Sequence, residues 1–318
     1  MAQASSSSHT NKSTNIRILF SFLAQRALIR AGFRIAPGWA ARQAARLFLR
    51  PLRRPGAGRN PTATHGAAFA AETATGPVAA WSFGPAQAKQ TILLVHGWED
   101  DHLSWAPLID KLVARDYRVL TLDLPGHGRT PAPLSSIPVL AAAVTAVGQE
   151  AERIGAVSPT RPFAAVIAHS LGGTATLIAA TEMGLRAERF AILASPNHPR
   201  LFAGAMMQML KLSRAQTAMA FNAIERLVNR SMDSLYLPPK LRQLATPGLI
   251  LHSRDDRTVP LQHSQENAAA WTQADFRILD GLGHRRLLSD DGVHSMLLHF
   301  VASKAPADPY GFRSDAAD

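Results

Sequence analysis

Between Val78 and Asp280 the chain repeats one pattern, a short apolar run followed by a stretch with helical spacing. The runs are Val78 to Phe83, Ile92 to His96, Arg118 to Asp123, Phe163 to Ala168, Arg189 to Ala194, Gly248 to His252 and Phe276 to Asp280. Apolar along most of their length rather than alternating, they suit strands buried on both faces. Leu103 to Ala114, Pro138 to Ile154, Gly172 to Met183, Leu261 to Trp271 and Val293 to Ala302 carry the spacing of helices. Strands alternating with helices predict an α/β fold, a doubly wound and mainly parallel sheet covered by helices on both faces. No internal repeat is visible in the sequence.

One connection is too long for a simple crossover. Pro196 to Ala245 has room for two or three helices before the sheet resumes, and predicts a helical cap at about 197–245. Its apolar residues include Phe202, Met206, Met207, Met209, Leu210 and Leu227. They have two readings: the cap's own small core, or, for adaptable side chains such as Met206 and Met209 together with Trp98, the lining of an acyl pocket.

A length of 318 residues allows one large domain with an insertion or two modest domains, and 47% apolar content supports a substantial core. With no cysteine, disulfides, thiolate nucleophiles and zinc-thiolate sites are excluded, which fits a reducing, cytoplasmic setting. The net charge of +11 is uneven. Residues 1–71 hold eleven Lys or Arg and no acid, and the remainder balances at 23 basic against 23 acidic residues. The remainder therefore lacks the basic footprint that nucleic-acid binding needs, and no nucleic-acid partner is expected.

Residues 1–15 read as a flexible tail. Ile16 to Arg34 and Trp39 to Arg50 space their arginines by four (Arg26, Arg30, Arg34, then Arg42, Arg46, Arg50), with Pro37 and Gly38 between them. This predicts two basic amphipathic helices in an N-terminal arm. Neither has the roughly 20 uninterrupted apolar residues of a spanning helix, and Arg26 cuts the apolar stretch too short for a secretory core. Two readings stand side by side: a peripheral anchor on an anionic membrane surface through residues 16–54, and a helical arm packed on the body. Arg50 to Pro61, rich in Pro and Gly, reads as a linker closing an arm segment of 16–61. The domain built on the predicted sheet is then 62–303, followed by a tail at 304–318. Nothing in the sequence fixes the oligomeric state.

Chemistry concentrates at three places. Ala168-His-Ser170-Leu-Gly-Gly173 follows an apolar run and precedes a helical stretch, which mounts Ser170 on a sharp strand-to-helix turn. Gly248 to Pro260 ends a strand with the adjacent Asp255 and Asp256. His284 lies in the loop Gly281-Leu-Gly-His284 after the last apolar run. A serine hydroxyl needs a base to take its proton, and the base needs an acid to hold its tautomer.

These motifs, with Asp123-Leu-Pro-Gly-His-Gly128, resemble the α/β-hydrolase superfamily over roughly Val78 to Val301. The resemblance implies a nucleophile, acid and base in chain order, Ser170, Asp256 and His284. Ala168 stands where the family often has Gly, and Ser253 where it usually has Gly. Register favours Asp256 over Asp255, which is left as a loop or capping residue. The resemblance also implies an oxyanion hole from the backbone N–H of Leu171 and, in the loop Val95-His-Gly-Trp98-Glu99, of Trp98. His96, His127 and His169 are read as structural. Glu99, Asp100 and Asp101 either face the site and repel anions or cap the helix starting near His102.

The function implied is hydrolysis of a small-molecule carboxylic ester through an acyl-enzyme, with no cofactor. Thioesterase, lactonase, peptidase, acyltransferase and carbon–carbon hydrolase activities share the same triad and stay open. So does a different class, a non-enzymatic ligand receptor or scaffold on the same fold.

Overall fold

The structure is a computed structural model. It describes residues 6–51 and 66–303, with side chains from residue 20 onward. The proposed linker, the start near Thr62 and the tail at 304–318 lie mostly or wholly outside the described residues.

The chain divides into two compact units, one of residues 1–49 with 200–232 and one of 50–199 with 233–318. The second holds the sheet. Its strands are β1 (Ala67–Ala71), β2 (Val78–Phe83), β3 (Thr91–Val95), β4 (Arg118–Leu122), β5 (Ala165–His169), β6 (Phe190–Leu193), β7 (Gly248–Ser253) and β8 (Ala274–Leu279). Their spatial order is β1-β2-β4-β3-β5-β6-β7-β8. β1, β2 and β4 pair antiparallel, and β4 through β8 are parallel. β3 to β7 are almost entirely buried, as their unbroken apolar runs predict.

The chain moves outward from β3 to β4 on one side and then to β5 on the other, so the strand order reverses there. Ligands of open α/β sheets bind beyond the carboxyl ends of the strands at such a point. β1 was not anticipated: Ala67-Ala-Phe-Ala-Ala71 has no β-branched residue, and as a mostly exposed edge strand it owes its conformation to pairing with β2.

The helices of the two units, in chain order, are α1 (Ser6–Ile35), α2 (Pro37–Phe48), α3 (Ala106–Val113), α4 (Ile137–Arg153), α5 (Leu171–Glu182), α6 (Pro199–Met209), α7 (Arg214–Val228), α8 (Pro238–Leu241), α9 (Leu261–Ala270) and α10 (Asp291–Ala302). α4, α5, α8 and α9 bury side chains such as Leu140, Val144, Ile178, Leu241 and Ala270 on one face of the sheet. α3 and α10 bury Leu108, Leu112, Val293 and Leu297 on the other. Covering both faces removes the sheet's apolar surface from water, at about 25 cal/mol per Å² of area buried.

In the helical unit α1 and α2 break at Ala36–Pro37, as Pro37 and Gly38 predict. α1 begins at Ser6, so most of the stretch expected to be a tail is helical; with no Pro or Gly before Gly32, a helix nucleated in the apolar run extends backward. α2 buries Ala40, Ala41, Ala44 and Ala45 where it packs on α1 and α7. Within the stretch 197–245, residues 200–232 group with the helical unit. Residues 233 onward belong with the sheet, because Leu235, Leu237 and Leu241 enter its core.

Candidate active site

β5 delivers Ser170 onto a bend that most residues avoid. Ser170 has φ 51° and ψ −129° and is the N-cap of α5. Such a backbone is strained and persists only where its surroundings hold it. Here its N–H donates to Leu193 O (2.8 Å) and its carbonyl accepts from Ser195 Oγ (2.5 Å). The turn also requires glycine on its helix side. A Cβ on Gly172 would sit 2.0 Å from the His96 carbonyl oxygen, and one on Gly173 2.5 Å from Ser195 Oγ. Before the serine the smallest side chain suffices, and Ala168 is fully buried there.

The structure brings the three sequence-predicted side chains together. His284 Nε2 lies 2.9 Å from Ser170 Oγ, and its Nδ1 lies 2.7 Å from Asp256 Oδ2. A carboxylate only accepts, so Nδ1 carries the proton and Nε2 is left to accept from the serine hydroxyl. Asp256 Oδ1 accepts from the N–H groups of Thr258 and Val259 (2.7 and 3.0 Å), which aims Oδ2 at the imidazole. Burial pushes the Asp256 carboxyl up, but hydrogen bonding and charge from His284 and the two amides outweigh it and hold the group below its ordinary value. It stays ionised.

Asp255 does something else. Its Oδ1 accepts from Ser253 Oγ (2.5 Å) and from Gly283 N–H (3.1 Å), while Ser253 Oγ accepts from the N–H groups of Leu282 and Gly283 (3.1 Å each). Ser253 and Asp255 thus tie the end of β7 to the loop that carries His284. The hydrogen bond from Ser253, then that from Gly283, hold the Asp255 carboxyl below its usual range. This role was missed, although Ser253 in place of the family's usual Gly was its signal.

Three further histidines support the site without titrating in it. Leu124 N–H donates to His96 Nε2 (2.9 Å), so Nδ1 carries the proton and donates to Gly97 O (2.7 Å). His169 Nε2 donates to the carbonyl of His284 (2.9 Å), and the two rings lie 4.7 Å apart. Burial, reinforced by nearby positive groups, pushes both His96 and His169 down to about 3. Burial likewise lowers His252, whose Nε2 donates to Val259 O (2.9 Å) beneath the Asp256 turn. His252 was not singled out from sequence; its i,i+4 spacing to Asp256 was the available clue.

Leu171, the first residue of α5, has no intrahelical acceptor for its N–H, and it is one candidate oxyanion donor. The other expected donor, Trp98, is half-buried with its ring edge-on to His127 at 5.1 Å. Its loop runs tightly past Ser170, since a Cβ on Gly97 would come within 2.9 Å of Ser170 Cβ. Asp123 pins the far end of that loop. It accepts from the backbone N–H and the ring Nδ1 of His102 (2.9 Å each), and the His102 ring stacks on Trp81 at 3.6 Å. Of the three acids in the loop, Asp101 caps the turn at His102–Trp105 and Asp100 pairs with Arg285 at 3.8 Å.

Met206 and Met209 belong to the helical unit, Met206 half-buried and Met209 57% exposed. It is Met207, with Ala203, Leu210 and Ile224, that is buried there.

The description of the alpha/beta hydrolase family matches residues 92–294. With this sheet and this elbow, the chain belongs to that family. A search of the curated proteins found no match. Among solved structures, an esterase of Pyrococcus furiosus is similar at 15% identity and a TM-score of 0.63, covering 80% of this chain and 98% of that one. The thioesterase domain from the curacin biosynthetic pathway is 18% identical at a TM-score of 0.54, covering 76% of this chain and 100% of that one. The 2-hydroxy-6-oxo-6-phenylhexa-2,4-dienoate hydrolase of Rhodococcus sp. strain RHA1 is 20% identical at 0.55, covering 75% and 100%. At such identities the likeness is one of fold.

Proposed function

We propose that the chain is a serine hydrolase that cleaves a carboxylic ester through an acyl-enzyme. The observation that carries this reading is the unbroken relay Ser170 Oγ, His284 Nε2, His284 Nδ1, Asp256 Oδ2, at 2.9 and 2.7 Å, on a strained elbow. As the Ser170 oxygen attacks the ester carbonyl, its proton passes to His284 Nε2 and the carbonyl oxygen becomes an oxyanion facing the N–H groups of Leu171 and Trp98. Collapse breaks the carbon–oxygen bond, and the leaving alkoxide takes the proton from Nε2. Water, deprotonated by the same nitrogen, then releases the acid and restores Ser170. Asp256, held ionised, keeps the imidazole in the one tautomer that serves both halves. The substrate class we assign is an ester of a short or medium acyl chain, or an aromatic ester.

Labelling by a fluorophosphonate probe tests this. Wild type is expected to label and turn over p-nitrophenyl esters, and Ser170→Ala to do neither, with turnover reduced by at least about 10,000-fold. If neither protein labels, the chain is a receptor or scaffold on a hydrolase fold. Parallel acyl thioesters separate ester from thioester preference. We also propose, for the basic segment of residues 16–54, contact with an anionic membrane surface, supported by the eleven bases and no acid of residues 1–71, nine of those bases lying within 16–54. Among the described residues no helix is long and apolar enough to cross a membrane.

A further inference from the structure

Within the helical unit a cavity of about 540 Å³ is lined by Ala27, Arg30, Ala31 and Arg34 of α1 and by Lys211, Leu212, Ser213 and Gln216 at the turn into α7. Three cations converge on it from two segments far apart in sequence. Among the described residues none of the three has an ion pair, although like charges brought this close repel. Lys211 is set there by a left-handed backbone (φ 56°) that ends α6, and its N–H donates to Gln208 O at 2.8 Å. The first turn of α7 is closed by its own capping box between Ser213 and Gln216, so the attraction for an anion comes from the three side chains.

Beside the cavity α1 presents an apolar strip to solvent. Phe20, Ala24, Ala27, Ala31 and Ile35 recur at helical spacing and are all exposed, Phe20 at 68% and Ile35 at 86%, and Arg30 and Arg34 run along one edge. The opposite side of the same helix buries Ile29 and Phe33. A helix docked on its protein by one face and showing water an apolar strip edged by guanidinium groups has the pattern of a helix lying in a lipid interface. Guanidinium groups also bind phosphate oxygens in pairs, which suits them to headgroups.

We infer that the cavity formed by Arg30, Arg34 and Lys211 seats the phosphate headgroup of an anionic phospholipid while the strip from Phe20 to Ile35 enters the interface. This rests on the membrane reading of the basic segment and extends it to Lys211, outside that segment. Charge complementarity selects a lipid surface over a second copy of the chain, whose same face would bring equal cations together.

Flotation of the full chain with vesicles tests it, comparing phosphatidylcholine alone with phosphatidylcholine doped with phosphatidylglycerol. Wild type is expected to float with the doped vesicles only, and less at high salt. A chain carrying Arg30→Gln, Arg34→Gln and Lys211→Gln should partition about a hundredfold less, at about a tenfold loss for every one to two basic residues. A control with Lys89→Gln, Arg161→Gln and Arg242→Gln removes the same charge from the sheet-bearing unit and should float as wild type does. All six side chains are exposed, and unchanged circular dichroism and melting confirm that each variant is folded. Equal flotation of the two triple variants overturns the headgroup seat and leaves the wider membrane reading standing. Failure of wild type to float overturns both. Binding of inorganic phosphate without flotation, or a dimer dispersed by Phe20→Ser with Ile35→Ser, also overturns the inference. Ser170→Ala should float normally, so failure of the esterase reading leaves this result untouched.

Discussion

The two units of this chain treat their side chains in opposite ways. Around Ser170 the polar groups of the sheet-bearing unit are turned inward onto named partners, as His96, His169 and His252 show. The helical unit leaves Arg30, Arg34 and Lys211 open and, among the described residues, holds six of the seven large apolar side chains that stand out in solvent: Phe20, Leu23, Leu28, Ile35, Leu201 and Met209. Reaction needs donors and acceptors fixed before charge develops, so that nothing must reorganise at the moment of attack. Encounter with a surface needs unpaired charge and uncovered apolar area. The proposals above assign the former to the first unit and the latter to the second.

Adjacent aspartates give the hardest test of that fixed geometry, and the largest expected effect. Asp256→Asn keeps the size of the side chain but presents an amide to His284 Nδ1, which favours the tautomer unable to accept the serine proton. Turnover of a soluble ester should fall about 10,000-fold. Asp255→Asn loosens the loop through Gly283 and Ser253 and should cost only about tenfold, with Ser253→Ala similar. Steady-state kinetics on the purified variants decides it. The reverse order for the two aspartates would mean that the buried carboxylate is a structural group and the exposed one the working acid.

What could be read from the sequence was whatever is written locally. Apolar runs placed seven of the eight strands described, and β5 runs Ala165–His169 rather than Phe163 to Ala168, the pairing of Phe163 being an isolated bridge to Ala187. The elbow was legible because its steric demand falls on neighbours of Ser170. The bonds of Ser195, Ser253 and His252 were not, although Ser253 stood out as a departure from the family's Gly, because each joins a backbone group or side chain whose proximity exists only after the sheet forms. Arg189 was opaque for the same reason. It reads as a strand residue, yet it is buried with its guanidinium donating to the carbonyls of Phe300, Val301 and Ser303 at the end of α10. The grouping of residues 1–49 with 200–232 had no local signature either, since the alanines that α2 buries look like those of any helix.

Burial of neutral histidines also predicts how stability follows pH. His96 and His169 sit near 3 in the folded chain against 6.5 when exposed, so between those values the unfolded chain binds more protons. Stability is therefore complete above about 6.5 and is lost as pH falls, by about 1.4 kcal/mol per pH unit for each histidine. Asp256, also lowered on folding, loses its contribution in the same direction but further into acid. Urea midpoints at about pH 7.5 and about pH 5 should differ clearly, the lower one being at acid pH. An unchanged midpoint would show that these rings are reached by water and that the site is less enclosed than its bonds indicate.

The smallest expected effect belongs to the open surface, where a null result is informative. Leu28 is 58% exposed and Ile29, its neighbour on α1, is 3% exposed. Leu28→Ser removes apolar area that folding never withdrew from water, so the urea midpoint should move by no more than about 0.5 kcal/mol in equivalent stability. Ile29→Ser removes buried methyl groups and buries a hydroxyl, and should cost about 2–5 kcal/mol. Esterase turnover on a soluble substrate should be the same for wild type and Leu28→Ser. A large loss of stability in Leu28→Ser would show that its side is covered in the isolated chain, and an exposed apolar flank on α1 would no longer be available to a lipid surface.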